Sequence, residues 1–220
     1  MSVAFLCMLS AHGQAFTNLN FEQAKPVPII GNPNYPYAVT VASALPAWTV
    51  TEAGIEPTII LENDPSLGAT AVMLSGPGYY PGFGPIDGNY SAVLQGIAPG
   101  TTASISQTGL IPIGTQTLFF DAEPAFGIPF GQLELLIGTQ VVPFAIVATE
   151  PNYTLYGANI SQWAGLTEQL TFSAPGGSDN NWILDDISFS TNSFAPEPGI
   201  VVLSAIGGLL FGARKWFPRR

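Results

Sequence analysis

The sequence predicts an all-β domain folded as an antiparallel two-sheet β-sandwich. Short runs rich in Val, Ile, Thr and aromatic residues recur along the chain, separated by many of its 24 glycines and 20 prolines. Each run is either apolar throughout or alternates apolar and polar residues, as strands do when they bury one or both faces. Helical periodicity is scarce before the C-terminal tail. Ten or so strands at this spacing fit two packed sheets and favour a jelly roll.

Ten segments carry the strand pattern, and about 180 residues between the two tails suit one domain, 16–195. The predicted strands are TVASALPAWTVT (40–51), PTIILEN (57–63), YSAVLQG (90–96), TASISQTGL (102–110), TQTLFFDAE (115–123), QLELLIGT (132–139), VVPFAIVAT (141–149), NYTLYGANI (152–160), LTEQLTFSA (166–174) and NWILDDISFS (181–190). One helical turn is predicted in ISQWAGLT, 160–167.

The N-terminal stretch MSVAFLCMLSAHGQA reads as a signal peptide, residues 1–15. Val3 to Leu9 form its apolar region, and Gly13 and Ala15 place small residues where a signal peptidase needs them. It lacks the usual positive residues at its start. The alternative is an ordinary first strand, which Gly13 and Gln14 would interrupt before a better strand begins at Phe16.

Removal of the signal changes the chemistry that the chain can support. Cys7 and His12 are the only cysteine and histidine, so the segment 16–195 has neither. Zinc sites with Cys or His ligands, cysteine nucleophiles, Ser-His-Asp triads and disulfides are therefore excluded there. The same segment holds one base, Lys25, against fourteen acids (all fifteen except Glu197), a net charge of −13. Nucleic acids and phosphate ligands would be repelled.

The C-terminal tail predicts a membrane-spanning helix. An uncharged stretch, 199–213, follows a Pro-Glu-Pro triplet, and a helix of about 199–217 reaches spanning length when its basic residues snorkel. The triplet and the basic cluster are Pro196, Glu197, Pro198, Arg214, Lys215, Arg219 and Arg220. Because positive residues stay in the cytoplasm, the preceding domain lies outside. The alternative is a buried core helix, which apolar runs of about this length often form.

The triplet, the apolar helix and the terminal Arg/Lys cluster together resemble the PEP-CTERM sorting signal of Gram-negative bacteria, residues 196–220. The resemblance implies that an exosortase in the inner membrane recognises this tail and cuts near the triplet. The protein then reaches the cell surface or extracellular matrix. On this interpretation the helix is a temporary sorting tag.

The two ends of the domain resemble calcium-stabilised jelly rolls of carbohydrate-binding modules. NLNFE (18–22) is similar to their opening strand, and NWILDDISFS to their closing strand. Alternation predicts that Ile183, Asp185, Ile187 and Phe189 share one face, so Asp185 points among apolar neighbours. A structural Ca²⁺ held by oxygens of Glu22 and Asp185 would compensate the buried charge. The alternatives are a carboxylate capped by backbone N–H groups or a position at a sheet edge.

Sugar binding requires exposed aromatic faces beside a few polar groups. The loop GPGYYPGFGPIDGNY, 76–90, has the length and composition of a surface connection that carries function. The predicted ligand-binding residues are Tyr79, Tyr80 and Phe83, with Asp87 nearby and with Trp163 and Trp48 as further candidates. The alternative, which we favour at this point, is that these rings fold down and cap the sandwich.

Carboxylate catalysis would need two acids facing each other across a sugar. Asp121 and Glu123 project from one face of a predicted strand, while Asp185 and Asp186 point oppositely. No pattern identifies a catalytic pair, so these acids are expected to be solvated edge charges that block aggregation. The leading hypothesis is a non-catalytic surface or matrix protein. The alternative is a carbohydrate-binding module for external polysaccharide, and a glycoside-processing enzyme ranks third.

Overall fold

Thirteen strands make up two facing sheets in the part of the chain that the structure, a computed structural model, describes. The described residues are 14–30, 37–65, 69–79, 84–125, 131–177 and 180–194. The strands are β1 Ala38–Thr40, β2 Thr49–Glu52, β3 Ile59–Glu62, β4 Ala71–Ser75, β5 Ser91–Gly96, β6 Thr102–Leu110, β7 Thr117–Pro124, β8 Glu134–Ile137, β9 Gln140–Val141, β10 Phe144–Thr149, β11 Thr154–Asn159, β12 Thr167–Pro175 and β13 Asn180–Ser190. A short helix, α1, spans Val41–Ala44, and a 3₁₀ turn spans Ser161–Trp163.

The larger sheet has eight strands in the order β1-β3-β4-β5-β13-β7-β11-β10, and the smaller has five in the order β2-β6-β12-β8-β9. Neighbouring strands are antiparallel except β3 and β4, which are parallel. The predicted all-β class and two-sheet architecture are therefore confirmed. The predicted helical turn at 160–167 is confirmed by the 3₁₀ turn.

The main core lies between the sheets, where the period-2 pattern of each strand places its apolar side chains. Along β6, buried and partly exposed residues alternate, and Ala103, Ile105 and Gln107 face inward. Phe120 of β7 lies at the centre and contacts the rings of Tyr156 in its own sheet and Phe172 in the facing sheet. The hydrophobic effect joins the sheets through such contacts.

Three local predictions were wrong. The segment 40–51 contains helix α1 before β2, and Pro46, which has no N–H, follows the helix. NLNFE forms turns instead of a strand, because Asn18 and Phe21 adopt left-handed backbone angles, φ 52° and 55°. Strand β4 was missed, since AVMLS is short and has no aromatic residue.

A β-bulge in β13 also overturns the predicted alternation along the closing strand. The pairing with β7 shifts by one residue between Asp185 and Ser188, and Asp186 sits at φ 40°. One inserted residue reverses which face the following side chains occupy. Ile187 and Phe189 therefore contact the main core, whereas Ile183 packs on the opposite face of the sheet.

The described residues contain no helix that is long and apolar enough to cross a membrane. The predicted signal peptide up to residue 13, the sorting signal 196–220 and its helix 199–217 lie outside the described residues. They stay predictions.

Candidate functional site

The candidate site lies on the face of the eight-stranded sheet that points away from the main core, called here the outer face. Three neighbouring strands place Met73, Val93 and Ile183 there, and Ile86 of the connection 84–90 packs on them. Tyr79 and Tyr153, both partly buried, border this small cluster. The outer face is thus partly covered by the segment that precedes β5.

A row of polar side chains crosses the outer face beside this apolar cluster. Ser75 pairs with Ser91 across β4 and β5, and Asp185 pairs with Asp121 across β13 and β7. Directly opposed residues point to the same face, with Cβ atoms about 4.5–5.5 Å apart. The two serines are fully buried, Asp185 is 1% exposed and Asp121 is 3% exposed. Polar groups buried to this degree need hydrogen bonds or charge partners, which offset the free-energy cost of removing them from water.

Asp185 has two hydrogen-bond donors. The Ser91 hydroxyl donates to its Oδ2 at 2.5 Å, and the Asp186 N–H donates to Oδ1 at 2.8 Å. Burial nevertheless dominates: it raises the pKa of Asp185 to about 8, against the lowering effect of the two hydrogen bonds, and the charges of Asp87 and Asp186 raise the pKa further. Since β13 lies between β5 and β7, Asp185 is not at a sheet edge.

Asp121 has no hydrogen-bond donor among the described residues, although it is almost as buried. Burial raises its pKa to about 7, and the negative charges of Asp186, Asp87 and Glu150 contribute to the rise. The prediction that Asp121 is a solvated edge charge was wrong. Strand β7 pairs with β13 on one side and with β11 on the other, so Asp121 lies within the sheet and not at its edge.

The acidic cluster consists of five carboxyl groups: Asp87, Asp121, Glu150, Asp185 and Asp186. Its centre is buried, whereas Asp87, Glu150 and Asp186 are exposed around it. The cluster also affects the Tyr153 hydroxyl, whose pKa is raised. The charge of Asp121 is the largest cause, and burial and the three exposed acids contribute less. Lys25 is the sole Lys or Arg among the described residues, and it takes part in none of these interactions. The outer face therefore has a negative electrostatic potential.

Glu22 fixes the connection 84–90 in place. Its Oε1 accepts the N–H groups of Asn89 and Tyr90 at 2.6 and 2.9 Å, and its Oε2 accepts the Asn89 side-chain amide at 2.9 Å. Desolvation is the largest single effect and raises the pKa of Glu22, but these hydrogen bonds together outweigh it and hold the pKa below its usual range. Gly88, at φ 56°, permits the approach, since a Cβ there would lie 2.5 Å from Glu22 Oε1.

The predicted calcium ligands, Glu22 and Asp185, share no hydrogen-bond partner among the described residues. Glu22 accepts from the connection 84–90, and Asp185 accepts from Ser91 and Asp186. No group of three His, Cys, Asp or Glu side chains in the described part of the chain is close enough to hold a metal as it stands. A calcium ion at this pair stays a prediction.

The aromatic residues singled out by sequence occupy different environments. Trp163 is 8% exposed and Trp48 5% exposed, and both belong to the main core, so neither presents an open ring face. The indole N–H of Trp48 donates to the Asn18 carbonyl at 2.9 Å. Tyr79 borders the outer-face cluster. Tyr80 and Phe83 lie outside the described residues.

Two surface clefts are lined by residues other than the five acids of the acidic cluster. One, of about 480 Å³, opens beside β8, β9 and Trp182 and is lined mainly by apolar side chains. The other, of about 330 Å³, lies near β3, β4 and the half-buried Glu52, which accepts the Val72 N–H at 2.7 Å. Burial raises the pKa of Glu52, and that hydrogen bond opposes the rise. Neither cleft brings several acidic groups together.

Sequence reasoning missed the pairing of Asp121 with Asp185 and the position of Tyr153 beside them. Both carboxylates stood out as acids within apolar strands, but their partnership depends on which strands are neighbours. Tyr153 was passed over as part of a strand. A tyrosine just before β11, next to the exposed Glu150, was the available signal.

No family model and no curated protein matches the chain. Among solved structures, the chain is similar to TmCBM61 in complex with β-1,4-galactotriose, with 11% identity, 80% of this chain and 97% of that chain covered, and a TM-score of 0.42. It is also similar to a family 11 carbohydrate-binding module from Clostridium thermocellum in complex with a β-1,3-1,4-mixed-linked tetrasaccharide, with 6% identity, coverage of 66% and 89%, and a TM-score of 0.33. Identities and TM-scores are low, so neither likeness assigns a ligand to this chain.

Proposed function

We propose that the protein is an exported cell-surface or extracellular-matrix protein whose jelly-roll domain binds carbohydrate on the outer face. The observation that carries this proposal is the placement of Tyr153, which packs against the apolar outer-face cluster together with Tyr79 and also interacts with Asp121 of the acidic cluster. Ligand sites for small polar molecules combine apolar or aromatic surface with a few well-placed polar groups. Tyrosine rings supply flat apolar faces for a sugar ring, and the exposed carboxylates of Asp87, Glu150 and Asp186 can accept hydrogen bonds from its hydroxyls.

The charge of the domain narrows the carbohydrate class. The segment 16–195 has a net charge of −13, and the acidic cluster concentrates part of it on the outer face. Polysaccharides that carry carboxylate or sulfate groups would be repelled over this surface. We therefore expect neutral polysaccharides to be the preferred ligands.

Binding without catalysis fits the burial of the two central acids. Asp121 and Asp185 lie side by side in one sheet and are at most 3% exposed. A glycosidase instead places two carboxyl groups on opposite sides of the scissile bond, within reach of the substrate. The proposed function is accordingly non-catalytic.

Affinity electrophoresis of the full chain against neutral plant, algal and self-produced polysaccharides tests the proposal. Tyr153→Ala is expected to weaken binding about tenfold, the order expected for losing one aromatic contact. The matched control is Tyr37→Ala, which removes a 57% exposed tyrosine next to the opposite edge of the sheet. If none of these polysaccharides slows the migration of the wild type, the carbohydrate proposal fails. The remaining hypothesis is then a structural surface protein.

We propose separately that exosortase processing of the tail delivers the protein to the surface or matrix. The support is the order of triplet, apolar stretch and basic cluster within residues 196–220. Mass spectrometry of the protein from the matrix fraction should find a C-terminus near Pro196 to Gly199. Intact Arg220 in that fraction would contradict it.

A further inference from the structure

We propose that one end of the sandwich docks on the surface of the lipid bilayer while the predicted C-terminal helix anchors the chain there. This surface, called here the neutral end, consists of four segments: 14–17, 110–117, 159–167 and 190–194. Its membrane contacts are the exposed side chains of Ile113 and Leu166. The proposal rests on the anchored tail of the proposed exosortase route and adds an orientation of the domain to it. It does not depend on carbohydrate binding.

The first support is that the four segments form one surface with exposed apolar groups. Backbone hydrogen bonds join 110–117 to the other three: the Ile111 N–H donates to the Leu166 carbonyl at 2.9 Å, the Gln116 N–H to the Ser190 carbonyl at 2.8 Å, and the Leu110 N–H to the Gln14 carbonyl at 2.7 Å. Ile113 lies beside Gly165, where an added Cβ would be 3.4 Å from Ile113 Cγ1. Ile113 is 86% exposed and Leu166 is 48% exposed. Two large apolar side chains are therefore exposed close together.

The second support is the absence of charged side chains from this surface. None of the four segments contains Asp, Glu, Lys or Arg, although the segment 16–195 has a net charge of −13. A bilayer with anionic lipids has a negative surface potential, which repels acidic parts of a protein. The neutral end can approach such a bilayer without this repulsion. Apolar side chains can then enter the headgroup region, where binding grows with the apolar area that is buried.

The third support is that the chain leaves the described fold beside this surface. Past the end of β13, the Thr117 hydroxyl donates to the Asn192 carbonyl at 2.7 Å, so the chain stays against the segment 110–117. Phe194 is the last described residue, and the uncharged stretch begins at Gly199. An extended chain between these two residues spans at most about 18 Å. A membrane helix that begins at Gly199 would therefore keep the neutral end close to the bilayer.

The anchor also explains how so small a contact can matter. Two apolar side chains alone give a weak membrane affinity, because their burial competes with the freedom that the domain loses on binding. The anchored tail raises the effective concentration of the neutral end at the surface to roughly millimolar, so a weak contact is enough to orient the domain. Docking would hold the Pro-Glu-Pro triplet, 196–198, near the bilayer surface, where a membrane-embedded protease can reach it.

The test reconstitutes the full chain, with Cys7→Ser, in vesicles of phosphatidylethanolamine and phosphatidylglycerol that contain a lipid with a nitroxide headgroup. A fluorophore is attached at Gln162→Cys, an exposed position of the neutral end, or at Ile55→Cys, which is 69% exposed and lies beyond the opposite end of β6. The nine residues of β6 separate the two ends by about 27 Å. Because nitroxides quench only nearby fluorophores, emission at position 162 should fall several-fold relative to vesicles without nitroxide. Emission at position 55 should stay the same.

Substitutions at the exposed apolar side chains identify the contact. Ile113→Ser combined with Leu166→Ser should abolish the quenching at position 162 without unfolding the domain, because both side chains are exposed. Ile55→Ser, which removes an exposed isoleucine from the other end, is the matched control and should keep the quenching.

The outcomes separate the docking from the anchor on which it rests. Equal emission at positions 162 and 55 in a vesicle-bound chain would overturn the docking and leave the anchored tail intact. A full chain that does not float with the vesicles would overturn the anchored tail and the docking together. If the wild type shows no quenching and the double serine variant instead dissociates a dimer, the neutral end binds a second copy and the lipid proposal is wrong.

Discussion

Asp121 and Asp185 make the stability of this protein depend on pH. Their pKa values are raised by burial from an ordinary value of 3.8 to about 7 and about 8. The folded state therefore keeps protons that the unfolded state has already lost. Because the state that binds more protons is favoured at low pH, the contribution of these two groups to the free energy of unfolding is expected to fall as pH rises from about 4 to about 8.

This pH dependence is measurable by urea unfolding in EDTA, so that no divalent ion contributes. Asp121→Asn should flatten the slope between pH 5 and 8, because the amide cannot ionise, and it should stabilise the protein relative to wild type at the upper end of that range. Glu56→Gln, which changes the charge equally at an exposed position, should leave the slope nearly unchanged. A wild-type stability that rises with pH over this range would contradict the raised pKa values.

At the scale of one element, the bulge in β13 decides what the closing strand presents to each side. It turns Ile187 towards the main core while leaving Ile183 and Asp185 on the outer face. The bulge strains the backbone at Asp186, because this L-residue is held at a positive φ of 40°. Glycine occupies that conformation without the steric penalty of a Cβ atom.

Asp186→Gly is therefore expected to stabilise the protein by about 0.5–1 kcal/mol in EDTA, because backbone strain is relieved and a like charge beside Asp121 is removed. Asp186→Asn separates the two effects, since it removes the charge and keeps a Cβ. Chemical unfolding of both variants gives the comparison. If Asp186→Gly proves less stable than Asp186→Asn, backbone strain at the bulge is not the controlling factor.

At the scale of the whole molecule, the packed core must join the two sheets. The segment 16–195 has no cysteine, so no disulfide links the layers. Phe120 is fully buried and touches the rings of Phe144, Tyr156 and Phe172, the last of which belongs to the facing sheet. Its neighbour Phe119 lies on the other side of the same strand and contacts Phe194.

These adjacent phenylalanines provide a matched pair for measuring the contribution of the core. Phe120→Ala should cost about 3–5 kcal/mol of unfolding free energy, the range for deleting a buried ring and leaving a cavity. Phe119→Ala should cost clearly less, because that side chain is only partly buried. Urea unfolding of the two variants makes the comparison. Equal losses would mean that the inter-sheet core is not what holds the layers together.

The fold class and most of the strands follow from local patterns in the sequence. Nine of the ten predicted segments contain a strand of the expected type without interruption by a helix, and β6 spans the predicted residues 102–110. The reason is that alternation and the Gly/Pro punctuation are local properties, which each segment carries whatever its neighbours are. The charge balance and the absence of cysteine and histidine from 16–195 are likewise properties of composition.

Which acids become neighbours depends on the order of the strands in the sheet. Asp121 and Asp185 are distant in sequence, and they became neighbours because β13 inserts between β5 and β7. The bulge at Asp186 reverses the face of the sheet on which every later side chain of the strand lies. Periodicity could not reveal the bulge, because the residues of the strand look the same with or without it. Burial of Trp163 and partial exposure of Tyr153 depend in the same way on what packs above them. Register and packing arise between segments, and that is why they do not appear in any one segment's pattern.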